Sequence, residues 1–183
     1  MIRVERLTGA ALAEALPGVA RLRIEVFRAF PYLYDGDLAY EEGYLQVYRD
    51  SDDAILVGAW DGDRLVGAAT GTPMEDHADD FGAALAGCGV PLTQIFYCAE
   101  SVLLPEYRGQ GVGHRFFDAR EAHARTLGRT HCAFCGVGSP GGSSPAPRGL
   151  SPARRLLAQA WLCAGHGGGG AVPLEGYRPD DRD

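Results

Sequence analysis

No apolar run in the sequence approaches the roughly 20 residues that a membrane-spanning helix needs. The first residues, Met1 to Glu5, also lack the apolar centre of a secretory signal peptide. Basic residues are in deficit, with 17 Lys+Arg against 24 Asp+Glu and a formal net charge of -7. Nucleic-acid-binding proteins normally show the opposite balance. These absences predict a cytoplasmic protein that binds neither membranes nor nucleic acids.

The cysteines form no disulfide framework, because the sequence has five of them, an odd number without regular spacing. Cys132 and Cys135 have the C-x-x-C spacing of a metal or redox site. No second such pair and no paired histidines follow, and the two intervening residues are apolar. The cysteines are therefore predicted to be reduced thiols, with 132 and 135 on a buried strand, and no metal site is predicted.

Apolar periodicity predicts an alternation of strands and helices over the first 135 residues. Strands are predicted at residues 2–7, 54–60, 65–72, 95–104 and 130–135. Helices are predicted at residues 10–30 with a break at Pro17, at 37–48 with Asp37 as cap, at 76–86, and at 112–127 with Gly128 as C-cap. Asp61-Gly62 predicts a hairpin between the second and third strands. The order indicates a mixed α/β fold with a largely antiparallel first half.

The most informative stretch is the junction between the strand that stops at Pro105 and the helix that begins near residue 112. A helix start offers unpaired N–H groups and partial positive charge to a phosphate. Glycines let the phosphate approach those groups, and Arg108 adds a cation. The glycine spacing excludes G-x-G-x-x-G, because the third glycine would fall on His114 or Phe116, and no Gly-Lys-Ser/Thr follows. The pattern that remains is R-x-x-G-x-G, formed by Arg108, Gly111 and Gly113.

This junction resembles the acetyl-CoA signature of the GNAT superfamily of N-acetyltransferases. The element order up to Cys135 is similar to the front portion of that fold. The resemblance implies an α/β (α+β) GNAT-like acyl-CoA N-acyltransferase fold, with a mixed, mostly antiparallel sheet flanked by helices. It also implies transfer of an acetyl group from acetyl-CoA to a primary amine of an unidentified small-molecule or peptide acceptor. The coenzyme-binding residues implied are Val102, Leu103 and Leu104, along the pantetheine arm, and Arg108, Gly109, Gln110, Gly111, Val112 and Gly113, around the pyrophosphate.

Glu100, near the middle of the same strand, is the candidate catalytic residue. Many relatives use a glutamate on this strand as the base that removes a proton from the amine, often through water. Its neighbours Tyr97, Cys98, Ala99 and Val102 are apolar, which is expected to raise the pKa of its carboxyl group. The alternative is a carboxylate that only forms a salt bridge at a strand edge.

The loop Tyr32-Leu33-Tyr34-Asp35 resembles the region of the family that lines the acceptor. Tyr32 and Tyr34 would shape an apolar pocket, and Asp35 would bind a cation. Half-buried packing explains the two tyrosines equally well.

The tail, residues 136–183, departs from the family pattern because it is dominated by Gly, Ser and Pro. Back-translated and read one base later, it permits a run that resembles the closing elements of GNAT relatives. We therefore hypothesise a frameshift near Gly136 and two regions, an acetyltransferase domain at 1–135 and a poorly ordered tail. Such a tail would leave a sheet edge open, which favours a homodimer. A non-catalytic coenzyme-binding protein or an inactive truncated product remains the alternative function.

Overall fold

The computed structural model describes residues 1–29, 33–78, 85 and 89–134, and the backbone of 172–173. Its strands are β1 (Arg3–Leu7), β2 (Ile55–Asp61), β3 (Arg64–Pro73), β4 (Ile95–Leu103), β5 (His131–Phe134) and β6 (Val172–Pro173). Its helices are α1 (Gly9–Phe27), α2 (Leu38–Tyr44), α3 (Gln46–Asp50) and α4 (Val112–Thr126). Short 3-10 turns lie at Met74–His77, Leu92–Gln94 and Pro105–Tyr107. None of the helices within these ranges is long and apolar enough to cross a membrane.

The strands form one sheet in the order β1-β2-β3-β4-β5-β6. Every described neighbouring pair is antiparallel except β4 and β5, which are parallel. All residues from Ile55 to Ala59 of β2 are buried, so both faces of the sheet are covered there. Helix α1 packs against β3 and β4, and α4 packs against β1, β2, β3 and β4. The predicted fold, a mostly antiparallel mixed sheet flanked by helices, is confirmed.

Three local sequence signals act as predicted. Asp61 pairs with Arg64 across a two-residue turn that begins at Gly62, whose φ is 58°. The Asp37 carboxylate accepts a hydrogen bond from the Tyr40 backbone N–H at 2.9 Å and so caps α2. Gly128, with φ of 70°, ends α4 in the left-handed conformation that a C-cap glycine supplies.

Two helix predictions need correction. Pro17 does not break α1, which continues through it, because Leu16, Val19 and Ala20 are buried against the core and that packing outweighs the lost hydrogen bond. The single helix predicted over residues 37–48 is instead α2 and α3, separated at Leu45, which is fully buried. Most of the helix predicted at 76–86 lies outside the described residues, and its first part belongs to the 3-10 turn Met74–His77.

Cys98 on β4 and Cys132 on β5 are buried free thiols on adjacent strands. A hydrogen bond from the Cys132 thiol lowers the pKa of Cys98 and raises that of Cys132. Cys88, Cys135 and Cys163 lie outside the described residues. Of the tail, only the backbone of β6 is described, paired antiparallel with β5. The frameshift hypothesis and the domain boundary therefore stay predictions.

Candidate active site

The junction after β4, residues 108–113, has the backbone that phosphate binding requires. We call this segment the cradle. Leu104 N–H donates to Val66 O on β3 at 3.0 Å, which fixes the end of the strand before the 3-10 turn Pro105–Tyr107. Tyr107 then donates to the Asp61 carboxylate at 2.9 Å, and this bond raises the pKa of the Tyr107 hydroxyl. This hydrogen bond anchors the turn, which precedes the glycines of the motif, to the β2–β3 hairpin.

The three glycines of the motif face open space. An added Cβ at Gly109, Gly111 or Gly113 would meet no heavy atom of the described residues within 4 Å. Gly109 and Gly111 also have φ of 72° and 73°, which favours glycine for conformational reasons. Gly111 is the N-cap of α4, and it has no side chain that could accept from the backbone N–H groups of the first turn. The first turn also contains no acidic residue. The N–H groups of the first turn are therefore directed at a surface that an anion can approach.

Gly113 is the glycine of the motif that the described residues explain least. It lies inside α4 without positive φ, and within the described chain nothing restricts a larger side chain there. Glycine inside a helix costs about 0.5–1 kcal/mol relative to alanine. Neither its backbone conformation nor packing against the described residues explains its presence, whereas close approach of a ligand would.

We expect Gly113→Ala to raise stability by about 0.5–1 kcal/mol while weakening acetyl-CoA binding about tenfold or more, because a methyl group would separate the phosphate from its donors. Thermal unfolding and calorimetric titration would measure the two effects. Gly43→Ala is the matched control, since Gly43 also lies in a helix, facing open space. It should change stability alone, and equal coenzyme affinity in both variants would contradict the assignment.

Arg108 is exposed and folds back along the strand end, where its Nε donates to Leu103 O at 3.2 Å. Gln110 likewise donates from Nε2 to Glu106 O at 3.2 Å. These bonds position both side chains beside the glycines. Arg108 is therefore a cation anchored at the mouth of the cradle.

Among the described residues, none pairs with the β5-facing edge of β4 beyond Cys98. In the described residues, β5 pairs with β4 only from Ile95 to Cys98. Along a strand, successive residues direct their backbone N–H and C=O groups to opposite edges. Because the N–H of Leu104 points to β3, the backbone groups of Leu103 point to the β5-facing edge and those of Val102 point to β3. Of the three residues predicted to pair with the pantetheine arm, Leu103 is thus the one whose backbone N–H faces this edge, while its carbonyl accepts from Arg108.

Glu100 lies at an irregularity in the sheet. Ala69 pairs with Ser101 and Gly71 with Cys98, so Thr70 on β3 opposes both Ala99 and Glu100. Two residues opposite one is the arrangement of a β-bulge, which bends the strand and redirects a side chain. The bulge occurs where the parallel pairing with β5 has ended.

The surroundings of the Glu100 carboxylate are not the apolar ones predicted from its neighbours in sequence. Arg23 of α1 forms an ion pair with it and a second, hydrogen-bonded ion pair with Glu41 of α2. Arg23 is 5% exposed and Glu41 0%. The Arg23 guanidinium also lies 4.3 Å from the ring centre of Tyr44 and 5.0 Å from that of Phe27. Two carboxylates therefore share one buried guanidinium.

The structure brings one of the three predicted acceptor residues to this group. Tyr34 is half-buried, and burial followed by the nearby Glu41 carboxylate raises the pKa of its hydroxyl. Asp35 is exposed, and Tyr32 lies outside the described residues. Leu33 has φ of 49°, strained for a leucine, and is 70% exposed. Tyr34 thus joins the acceptor loop to the Arg23–Glu41–Glu100 group.

Sequence reasoning missed Arg23 and Glu41, although one signal was present. Residues 12, 16, 19, 23 and 26 recur at helical spacing along one face of α1, and all are buried. Arg23 is the charged member of that otherwise apolar stripe. A buried arginine requires a buried acceptor, so its position indicated a carboxylate elsewhere in the chain.

Comparison with known families agrees with this geometry. The sequence model described as "Acetyltransferase (GNAT) family" matches residues 19–141, which is more than half of the chain. The chain belongs to the GNAT family. It is accordingly an acyl-CoA N-acyltransferase, and the resemblance drawn from the glycine junction is confirmed. Among curated protein sequences, none matches the chain.

Solved GNAT structures share the fold. A polyamine N-acetyltransferase from Drosophila melanogaster has a TM-score of 0.55 and 14% identity, over 76% of this chain and 78% of the other. The aminoglycoside N-acetyltransferase AAC(6')-Iy, in complex with a bisubstrate analogue, has a TM-score of 0.51 and 15% identity, over 77% and 82%. An integron cassette protein of V. cholerae has a TM-score of 0.52 and 17% identity, over 74% and 75%.

Proposed function

We propose that this GNAT protein transfers an acetyl group from acetyl-CoA to a primary amine of a small molecule, by direct attack in a ternary complex. The observation that carries the proposal is the uncapped start of α4, where three glycines face open space beside Arg108 and the β5-facing edge of β4. The pyrophosphate would lie against Arg108 to Gly113, and the pantetheine arm along Leu103. Acetyl-CoA supplies the thioester, and one solved neighbour was crystallised with CoA.

The proposal for the acceptor rests on charge. The Arg23–Glu41–Glu100 group contains two carboxylates and one guanidinium, and a second guanidinium, that of Arg120 on α4, donates to Glu100 O. An ammonium ion would be attracted by the Glu100 carboxylate itself rather than by a net charge of the group. Two of the neighbours described above are acetyltransferases of polyamines and aminoglycosides, which are polycations.

Glu100 is proposed as the base, because an ammonium ion has no lone pair with which to attack a thioester. Its side chain is 10% exposed and both of its carboxylate oxygens are buried. The ion pair with Arg23 orients the carboxylate, and the ionised carboxylate is the form that accepts a proton.

The test is release of free thiol from acetyl-CoA in the presence of spermidine, agmatine, an aminoglycoside, a lysine peptide and a peptide with a free N-terminus. We expect turnover with the small polycations at a rate well above that with either peptide. Turnover with the peptides alone would overturn the acceptor proposal. Binding of acetyl-CoA without thiol release for any amine would make this chain a coenzyme-binding GNAT protein without transferase activity.

A further inference from the structure

Arg120 of α4 is a charged side chain within the core. It is 1% exposed, and its guanidinium carbon lies 4.5 Å from the centre of the Phe117 ring. Burial of a guanidinium is costly unless its donors are used. Its position among Phe116 and Ala124, both buried, gives no apolar reason for an arginine there.

One nitrogen of Arg120, Nη1, donates at the β3–β4 bulge, whereas Nε and Nη2 have no partner among the described residues. Its Nη1 donates to Thr70 O at 3.2 Å and to Glu100 O at 3.2 Å. Thr70 is the β3 residue that faces both Ala99 and Glu100, so one nitrogen joins the two strands where their regular pairing is disrupted. Arg120 therefore replaces, with a side-chain donor, part of the hydrogen bonding that a bulge removes.

We propose that Arg120 is a positioning residue: by holding the bulge through Thr70 O and Glu100 O, it fixes where the Glu100 carboxylate lies. Two arginines then act on one residue, Arg23 on the carboxylate and Arg120 on the backbone. This inference rests on the proposed function of Glu100. The coenzyme cradle is held separately, through Leu104 to Val66 and Tyr107 to Asp61, so it should not respond to Arg120.

The variants are Arg120→Met, which removes the donors at similar volume, and Arg120→Lys, which keeps a charge and a donor. Arg115→Met is the matched control, since Arg115 is on the same helix and also donates to a backbone carbonyl, Ile2 O at 3.1 Å, away from the bulge. We expect Arg120→Met to lower kcat on the order of tenfold to a hundredfold without changing the Kd for acetyl-CoA. Arg120→Lys should lie between it and the parent, and Arg115→Met should match the parent.

Combining Arg120→Met with Glu100→Gln distinguishes positioning of Glu100 from a merely structural role of Arg120. If Arg120 acts through Glu100, the double variant should be no slower than Glu100→Gln alone. Multiplication of the two single effects would overturn the proposal. Should Arg120→Met not fold, Arg120→Lys in the same cycle decides, with the same two outcomes.

A readout that needs no turnover is amide hydrogen exchange. We expect faster exchange in Arg120→Met at Ala99–Ser101 and Thr70, with Ile95–Tyr97 unchanged, and no such change in Arg115→Met. Unchanged exchange at the bulge overturns the inference even if the enzyme is active. If the parent protein releases no thiol with any amine, the proposed function fails, while the exchange result still decides whether Arg120 holds the bulge.

Discussion

Replacing Glu100 with Gln is expected to slow acetyl transfer about a hundredfold or more while leaving acetyl-CoA affinity unchanged. Glutamine keeps the size of the side chain but cannot accept the ammonium proton. The cradle is four or more residues away along the chain, beyond the bulge, so binding of the pyrophosphate does not depend on this carboxylate. Steady-state kinetics over pH and calorimetric titration would measure both quantities.

The pH profile distinguishes two roles for Glu100. A base loses activity as pH falls through its own titration, so Glu100→Gln should remove that limb of the profile. A lower rate with an unchanged profile would mean that the carboxylate only holds the acceptor, and an unchanged rate would end its assignment as base. Glu25→Gln is the control, because Glu25 is an exposed glutamate of α1 whose ion pair with Arg64 spans 3.4 Å.

Replacing Arg23 with Met is expected to destabilise the fold by about 3–5 kcal/mol, because it leaves two buried carboxylates without a counter-charge. Arg64→Met should cost at most about 1 kcal/mol, since that arginine forms only exposed ion pairs. Urea unfolding of both variants would measure the difference.

The charge origin of the loss in Arg23→Met can be tested by removing the two carboxylates as well. Adding Glu41→Gln and Glu100→Gln to Arg23→Met should restore most of the loss at neutral pH. Persistence of the full loss in the triple variant would show that Arg23 stabilises the fold by packing on Tyr44 and Phe27 rather than by charge.

The sequence predicted the backbone at the cradle, a strand end followed by a helix start, because that information is local. Gly109 and Gly111 supply backbone conformations, Pro105 ends a strand, and the helix follows at once. Each of these features is specified within about ten residues, so a pattern in one dimension is enough. The hairpin at Gly62 and the cap at Asp37 were predictable for the same reason.

The electrostatics of Glu100 were not predictable in that way, because its partners come from distant elements. Arg23 and Glu41 precede it by 77 and 59 residues, and neighbours in sequence on a strand point to opposite faces. Arg120 was missed too, since the helix predicted over residues 112–127 gave no indication of the bulge on the neighbouring strands. The prediction at Pro17 failed for the opposite reason: proline is a strong local signal for a helix break, but the packing of α1 outweighs it.

Thermal unfolding with and without acetyl-CoA tests the central claim, that the glycine junction of this GNAT protein holds the coenzyme, most directly. At a hundredfold excess over Kd, binding adds about 2.7 kcal/mol, which raises Tm by about 5–10 °C for a chain of this size. Arg108→Glu places a negative charge at the mouth of the cradle and should remove the shift without lowering the Tm of the free protein appreciably, because Arg108 is exposed. A parent protein whose Tm does not respond to saturating acetyl-CoA, or an Arg108→Glu variant that responds as fully as the parent, would contradict the account.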